Sequence, residues 1–232
     1  AGDVRQALSD LERVALSVPE GATVDAPQLP ELLRDRTIRH DRAGEDHYNV
    51  LSALIKSMRG SDPNASLYWL ARLIRGGESP TTIARRLIIF ASEDVGNADP
   101  RALDVAVNAA LGAERVGWPE ARIILSQAVI WLATSPKSNA SYLAIDAALA
   151  DVDRLGALQI PLPLRNARTR EMRAEGYGKG YLYPHDFPDH IVDQQYLPDA
   201  LKNAHYYTPT GMAEEKRIAE RLRWWQNKLG DR

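Results

Sequence analysis

The sequence holds 232 residues with a formal net charge of −2, 44% hydrophobic and 26% charged residues, and no cysteine. Such a chain can bury a real core and has ordinary globular composition, while its near-neutral charge excludes a global basic field toward nucleic acid or an acidic membrane. Disulfide and thiolate chemistry are excluded, which fits a reducing cytoplasm, and no stretch reaches the roughly 20 apolar residues of a membrane helix.

The opening stretch AGDVRQALSDLE reads as a helix start, with Asp3 as N-cap and Val4, Leu8, Leu11 and Ala15 on one face. Residues 18–43 carry three prolines around a short helical patch, Leu29 to Arg36, and read as a linker between a small N-terminal helical unit and a main domain. Glu45 and Asp46 then stand before Tyr48 to Met58, where two acids favour a helix N-terminus.

The punctuation of the next hundred residues is helical. Asp62-Pro63, Ser79-Pro80 and Asp99-Pro100 each pair an N-cap residue with a proline that has no N–H to leave unpaired. Gly60, Gly76-Gly77 and Gly96 lie where a left-handed C′ residue is wanted. The apolar stripes between them are Leu51, Leu54, Ile55 and Met58; Leu67, Leu70, Ala71 and Ile74; and Ile83, Leu87, Phe90 and Ala91. Helices follow over 101–116, 119–134 and 138–155, the last capped by Ser138 and rich in alanine for close packing. A final helix runs from Ala213 to Leu229, with Ile218, Leu222, Trp225 and Leu229 on one side. No strand periodicity and no consensus repeat occur, so the fold class is all-α.

Residues 159–212, rich in Pro, Gly, Tyr and His, lack periodicity, as functional loops and oligomer-wrapping arms do. Within them, GYGKGY (176–181) has neither the strand nor the helix of a phosphate loop and reads as a turn, and G-x-x-x-x-G-K-[ST] occurs nowhere. The five histidines, with HD dipeptides at His40-Asp41 and His185-Asp186, match no metal-ligand spacing, so no metal site is expected. Glu93-Asp94, near a helix C-terminus, calls for a cationic partner from a neighbouring helix or subunit. Arg165, Arg168, Arg170, Arg173 and Lys179 interleave with Tyr177, Tyr181 and Tyr183. Two readings of that stretch stand side by side: it contacts phosphates and bases of single strands, or it is a subunit-contacting loop paired with the acidic run Asp186, Asp189 and Asp193.

Six stretches stand together in order along the chain: GEDHYNVLSALIKSMRGSDPNASLYWLARLI (44–74), ARRLIIFASEDVGNADPRAL (84–103), SPKSNASYLAIDAAL (135–149), PLPLRNARTREMRAEGYGKGYLYPHD (161–186), QQYLPDAL (194–201) and YYTPTGMAEEKRIAERL (206–222). They resemble the C-terminal half of the RarA/MgsA family of AAA+ ATPases, replication-associated recombination proteins that include the Werner-helicase-interacting ATPase. GDVRQALSDLE is similar to the sensor-2 helix of AAA+ lids, which makes Arg5 the arginine that reaches nucleotide phosphates.

The resemblance implies an AAA+ lid remnant at 1–36, a linker at 37–43 and a helical tetramerisation domain at 44–232. It implies a fragment that does not itself hydrolyse ATP, with ATP and Mg belonging to a full-length parent, a DNA-dependent ATPase that acts at stalled or damaged replication forks and is cytoplasmic and nucleoid-associated. The implied partners are further copies in a homotetramer, single-stranded DNA-binding protein and DNA. The expected self-interface uses the 99–155 helices and the 181–212 arm, and the expected DNA contact is Arg165, Arg168, Arg170 and Lys179. The alternative is a monomeric DNA- or protein-binding module working through that same loop. An independent helical hydrolase rests only on the HD dipeptides.

Overall fold

The computed structural model describes residues 45–230, residues 21–29, and residues 8, 11, 14, 15, 18 and 19. Asp3, Arg5, the 37–43 linker, His40 and most of the Leu29–Arg36 patch lie outside the described residues. The described residues are helical, turn or irregular, with no strand among them, so the all-α reading holds. No helix among them is long and apolar enough to cross a membrane.

Five helices form the core: α1 (Glu45–Arg59), α2 (Pro63–Arg75), α3 (Pro80–Phe90), α4 (Arg101–Val116) and α5 (Ala121–Thr134). Helix α5 is the central one and touches the other four. Its composition explains the position: Ala121, Leu125, Ala128, Val129, Leu132 and Ala133 are all buried, so apolar residues cover much of its circumference. Helix α4 meets α5 and α3 through Ala102, Ala106, Ala109 and Ala113, at i, i+4, i+7 and i+11. These small side chains allow close approach, and a Cβ on Gly112 would already stand 3.2 Å from the Ile124 side chain.

The caps follow the sequence in two cases and shift in two. The Asp62 carboxylate accepts from the N–H of Asn64 and Ala65 at 3.0 and 2.9 Å, and Ser79 Oγ accepts from the Thr82 N–H at 3.0 Å. Helix α4 starts at Arg101 as its spacing implies, but Pro100 rather than Asp99 holds the N-cap place, and Asp99 pairs with the Arg101 guanidinium. Helix α6 (Ala140–Leu155) starts after Asn139, yet Ser138 still accepts from the Ala140 N–H at 3.2 Å.

The stops are also corrected in part. Gly96 and Gly77 have positive φ as expected, but Gly60 and Gly76 do not, and Ser61 takes the left-handed place after α1. On α2 the buried residues are Ser66, Leu70 and Leu73, while Ala71 is exposed, so the face is rotated from the expected stripe. The rotation turns Leu73 toward the core rather than Ala71, the larger apolar group gaining more from leaving water. Close packing by alanine falls on α4 rather than on α6, where only Ala140 is buried.

Beyond α3 the chain makes a π-helical turn, Ala91–Val95, and a 3-10 turn, Gly96–Ala98. Helix α6 and the carboxy-terminal α8 (Glu214–Gly230) both dock on these turns rather than on the core. Between them runs the irregular 156–213 stretch, whose regular pieces are short, including α7 (Arg170–Ala174).

Candidate functional site

The junction that carries α6 and α8 is held by buried polar groups. Ser138 donates its backbone N–H to the Asp94 carbonyl at 2.8 Å, bringing the α6 entrance against the π turn. Asp94 is also the partner of Arg59 at the end of α1: the guanidinium Nε bonds Oδ1, Nη2 stands 3.1 Å from Oδ2, and Glu93 lies 3.6 Å away. The cationic partner expected for Glu93-Asp94 is therefore Arg59. Its charged form is favoured first by the Asp94 hydrogen bond, which outweighs desolvation and holds its pKa above the ordinary value.

Glu215, in the first turn of α8, is fully buried. Its carboxylate accepts from Ser138 Oγ at 2.8 Å, Tyr207 Oη at 3.1 Å, the Thr210 N–H at 2.7 Å and the Thr210 hydroxyl. Burial pushes its pKa up, but the donors from Thr210, Ser138 and Tyr207 together outweigh it, and the carboxyl sits below its ordinary range. One carboxylate thus fastens the α6 entrance, the end of the arm and α8 together. Nothing in the sequence marks Glu215 for this part, because an acid in a first helical turn is ordinarily explained by the helix dipole.

Beside this junction lie two exposed apolar rows. On α4, Leu103, Val107 and Leu111 recur at i, i+4 and i+8, all exposed. On α6, Tyr142, Ile145, Leu149 and Val152 share a face, each at least 44% exposed. The rows approach one another at Asn97 and Ser141: one groove there is lined by Ala91, Pro100 and Leu103, the next by Ala144, Ile145 and Tyr207. Asn97 Nδ2 donates to Ser141 Oγ at 3.1 Å, closing the floor between them.

The basic loop is placed as follows. Arg165 is engaged within its own loop: Nε donates to the Ile160 carbonyl at 2.6 Å, Nη1 to Tyr177 Oη at 3.3 Å, and the guanidinium lies over the Tyr177 ring at 5.1 Å. Arg168, Arg170, Arg173 and Lys179 are exposed and make no ion pair among the described residues. The acidic run does not neutralise them: Asp189 pairs with Lys228 of α8 at 3.3 Å. GYGKGY is a turn, with positive φ at Gly176, Gly178 and Gly180. His185 lies between Tyr183 and His190 with its ring tilted to both, and no three His, Asp or Glu side chains that could hold a metal gather among the described residues. The G-x-x-x-x-G-K-[ST] pattern of a phosphate loop does not occur in the sequence, and Arg5 lies outside the described residues. The end of the 181–212 arm is ordered on its own chain, through Thr210, Tyr207 and a 2.9 Å bond from Tyr206 Oη to Asp151.

Comparison with known proteins fits a chain of this architecture into AAA+ ATPases. Residues 1–59 match the family described as AAA C-terminal domain, and residues 60–226 match MgsA AAA+ ATPase C terminal. The Replication-associated recombination protein A of Bacillus subtilis is 47% identical over 230 residues, covering 95% of this chain and 54% of that protein. Its namesake in Coxiella burnetii is 45% identical over 229 residues, 97% of this chain and 52% of that protein. The ATPase WRNIP1 of Dictyostelium discoideum is 38% identical over 181 residues, 78% of this chain and 21% of its own length. The chain belongs to the RarA/MgsA family and corresponds to its C-terminal region. It spans about half the length of the curated bacterial relatives named here.

Proposed function

We propose that this chain is the non-catalytic assembly hub of a replication-associated recombination ATPase, joining its copies into a homotetramer. The observation that supports this is the pair of exposed apolar rows on α4 and α6. Monomers seldom keep such contiguous faces in water, and each large side chain that a second copy covers gains roughly 1.5–3 kcal/mol. Four copies would gather four ATPase units and raise their joint affinity for DNA through multivalency. In this reading single-stranded DNA-binding protein and DNA are the partners of the assembled enzyme. ATP and Mg bind Walker residues that this sequence does not hold, with Arg5 reaching the phosphates.

Light scattering across a dilution series tests the reading. The expected mass is near four times 25.8 kDa and holds on dilution. Val107→Asp combined with Leu149→Asp brings it to that of one chain, because a carboxylate buried in an apolar interface costs more than the contact returns. A single-chain mass for the unmodified protein overturns the reading. It would favour the second one, a monomeric DNA- or protein-binding module working through the Arg165–Lys179 loop, which draws support from Arg168, Arg170, Arg173 and Lys179 making no ion pair among the described residues.

A further inference from the structure

Helix α8 carries a row of side chains that neither the apolar faces nor the Arg165–Lys179 loop involves. Arg217, Arg221, Trp224 and Lys228 recur at i, i+4, i+7 and i+11 and so share one helical face, with Trp225 along its edge. That face is turned away from the docked side, which Glu215, Ile218 and Leu222 form. All five side chains of the row are exposed, Trp224 at 45% and Trp225 at 39%. Eleven residues at 1.5 Å rise span about 16 Å, the length of roughly four or five phosphate intervals of one strand.

The chemistry of the row is mixed in a particular way. Lys228 Nζ lies over the Trp224 ring, 5.5 Å from its centroid. Two carboxylates touch the row, Glu214 on Arg217 at 3.4 Å and Asp189 on Lys228 at 3.3 Å, and Glu220 stands on the neighbouring face. Both pairs are exposed, so each is weak and a phosphate can replace its carboxylate. Arg221 makes no ion pair among the described residues. At the start of the helix, Arg101 and Arg217 line a shared groove with Asp99 and Pro136, and Arg101 lies over Trp131 at 5.4 Å.

An apolar partner would cover the indoles but would have to desolvate three cations as well. An acidic polymer without planar groups would meet the cations and leave the indoles in water. Single-stranded nucleic acid supplies both, phosphates for the cations and unpaired base faces for the rings, whereas a duplex hides those faces in its stack. We propose that Arg217, Arg221, Trp224, Trp225 and Lys228 of α8 form a stacking track for single-stranded nucleic acid. The track does not depend on the assembly reading and is separate from the Arg165–Lys179 loop.

The test is fluorescence anisotropy of a labelled mixed-sequence single strand of about 20 bases, longer than the ~4–16 bases one module commonly covers, titrated with the 232-residue chain. The expected result is binding that Trp224→Ala with Trp225→Ala weakens at least tenfold, while Trp224→Phe with Trp225→Phe retains most of it. Arg221→Glu lowers the slope of log affinity against log salt by about one or more. The light-scattering mass and helical circular dichroism of the variants stay those of the parent. No binding by the parent chain overturns the proposal. So does equal binding by the alanine variant, or loss confined to charge reversal at Arg168 and Arg170. A change of mass in the alanine variant also overturns it, assigning the row to a protein contact.

Discussion

Glu215→Ala is expected to lower the unfolding free energy by about 3–5 kcal/mol, measured as an earlier urea midpoint. The substitution strands donors that Ser138, Tyr207 and Thr210 now direct at one buried carboxylate. Each buried donor left unpaired costs roughly 1–3 kcal/mol. Glu215→Gln keeps the shape but turns an amide N–H₂ toward those donors, so it recovers only part of the loss. The pH dependence follows from the depressed folded pKa. Above the ordinary glutamate value near 4.5 the contribution is fully present, and it is lost as pH falls through the lower folded value. The parent should therefore lose stability more steeply below about pH 4.5 than Glu215→Gln does.

Gly96→Ala is expected to cost about 2–4 kcal/mol in the same measurement. Gly96 has φ 51° and ψ −138°, a region that side chains rarely enter. A Cβ there would also stand 2.7 Å from the Ser138 carbonyl oxygen, a backbone atom that can yield only by moving the α6 entrance. Gly117→Ala is the control: φ is also positive, at 66°, but the space is open, so strain alone should cost about 1 kcal/mol. Because Gly96 and Glu215 both act on Ser138, the double variant Gly96→Ala, Glu215→Ala should cost less than the sum of its parts.

Much of the helical architecture was legible in the sequence because its signals are local. Asp62 and Ser79 cap through their own next turn, and the Ile83, Leu87, Phe90, Ala91 stripe is buried as its spacing implies. What was not legible depends on partners far along the chain. The face of α2 is set by how it meets α1 and α5, which turned Leu73 inward and left Ala71 in water. The alanines of α6 read like those of α4, yet only α4 lies between other helices. At the candidate site, the need of Glu93-Asp94 for a cation was readable from charge at a helix end. That the cation is Arg59 was not, since the two lie 35 residues apart. Arg165 looks in sequence like the other arginines of its stretch and differs from them because the Ile160 carbonyl and the Tyr177 ring engage it. The tryptophan row of α8 is hidden in the sequence for a different reason: helical spacing groups Trp225 with the apolar side, although it stands at that side's edge.

The two family matches meet between Arg59 and Gly60, and that line is a poor place to cut. It falls inside a packed helical hairpin, because α1 ends at Arg59 and α2 begins at Pro63. A protein trimmed to residue 60 would lose Val50, Leu54, Ile55 and Met58 together, uncovering the side of α2 and α5 against which they lie. It would also lose Arg59 and leave the Asp94 carboxylate without its ion-pair partner, under the floor on which α6 stands. The unit that expression and crystallisation can handle as one piece therefore includes Glu45 onward, and ancestry and handling draw their borders in different places.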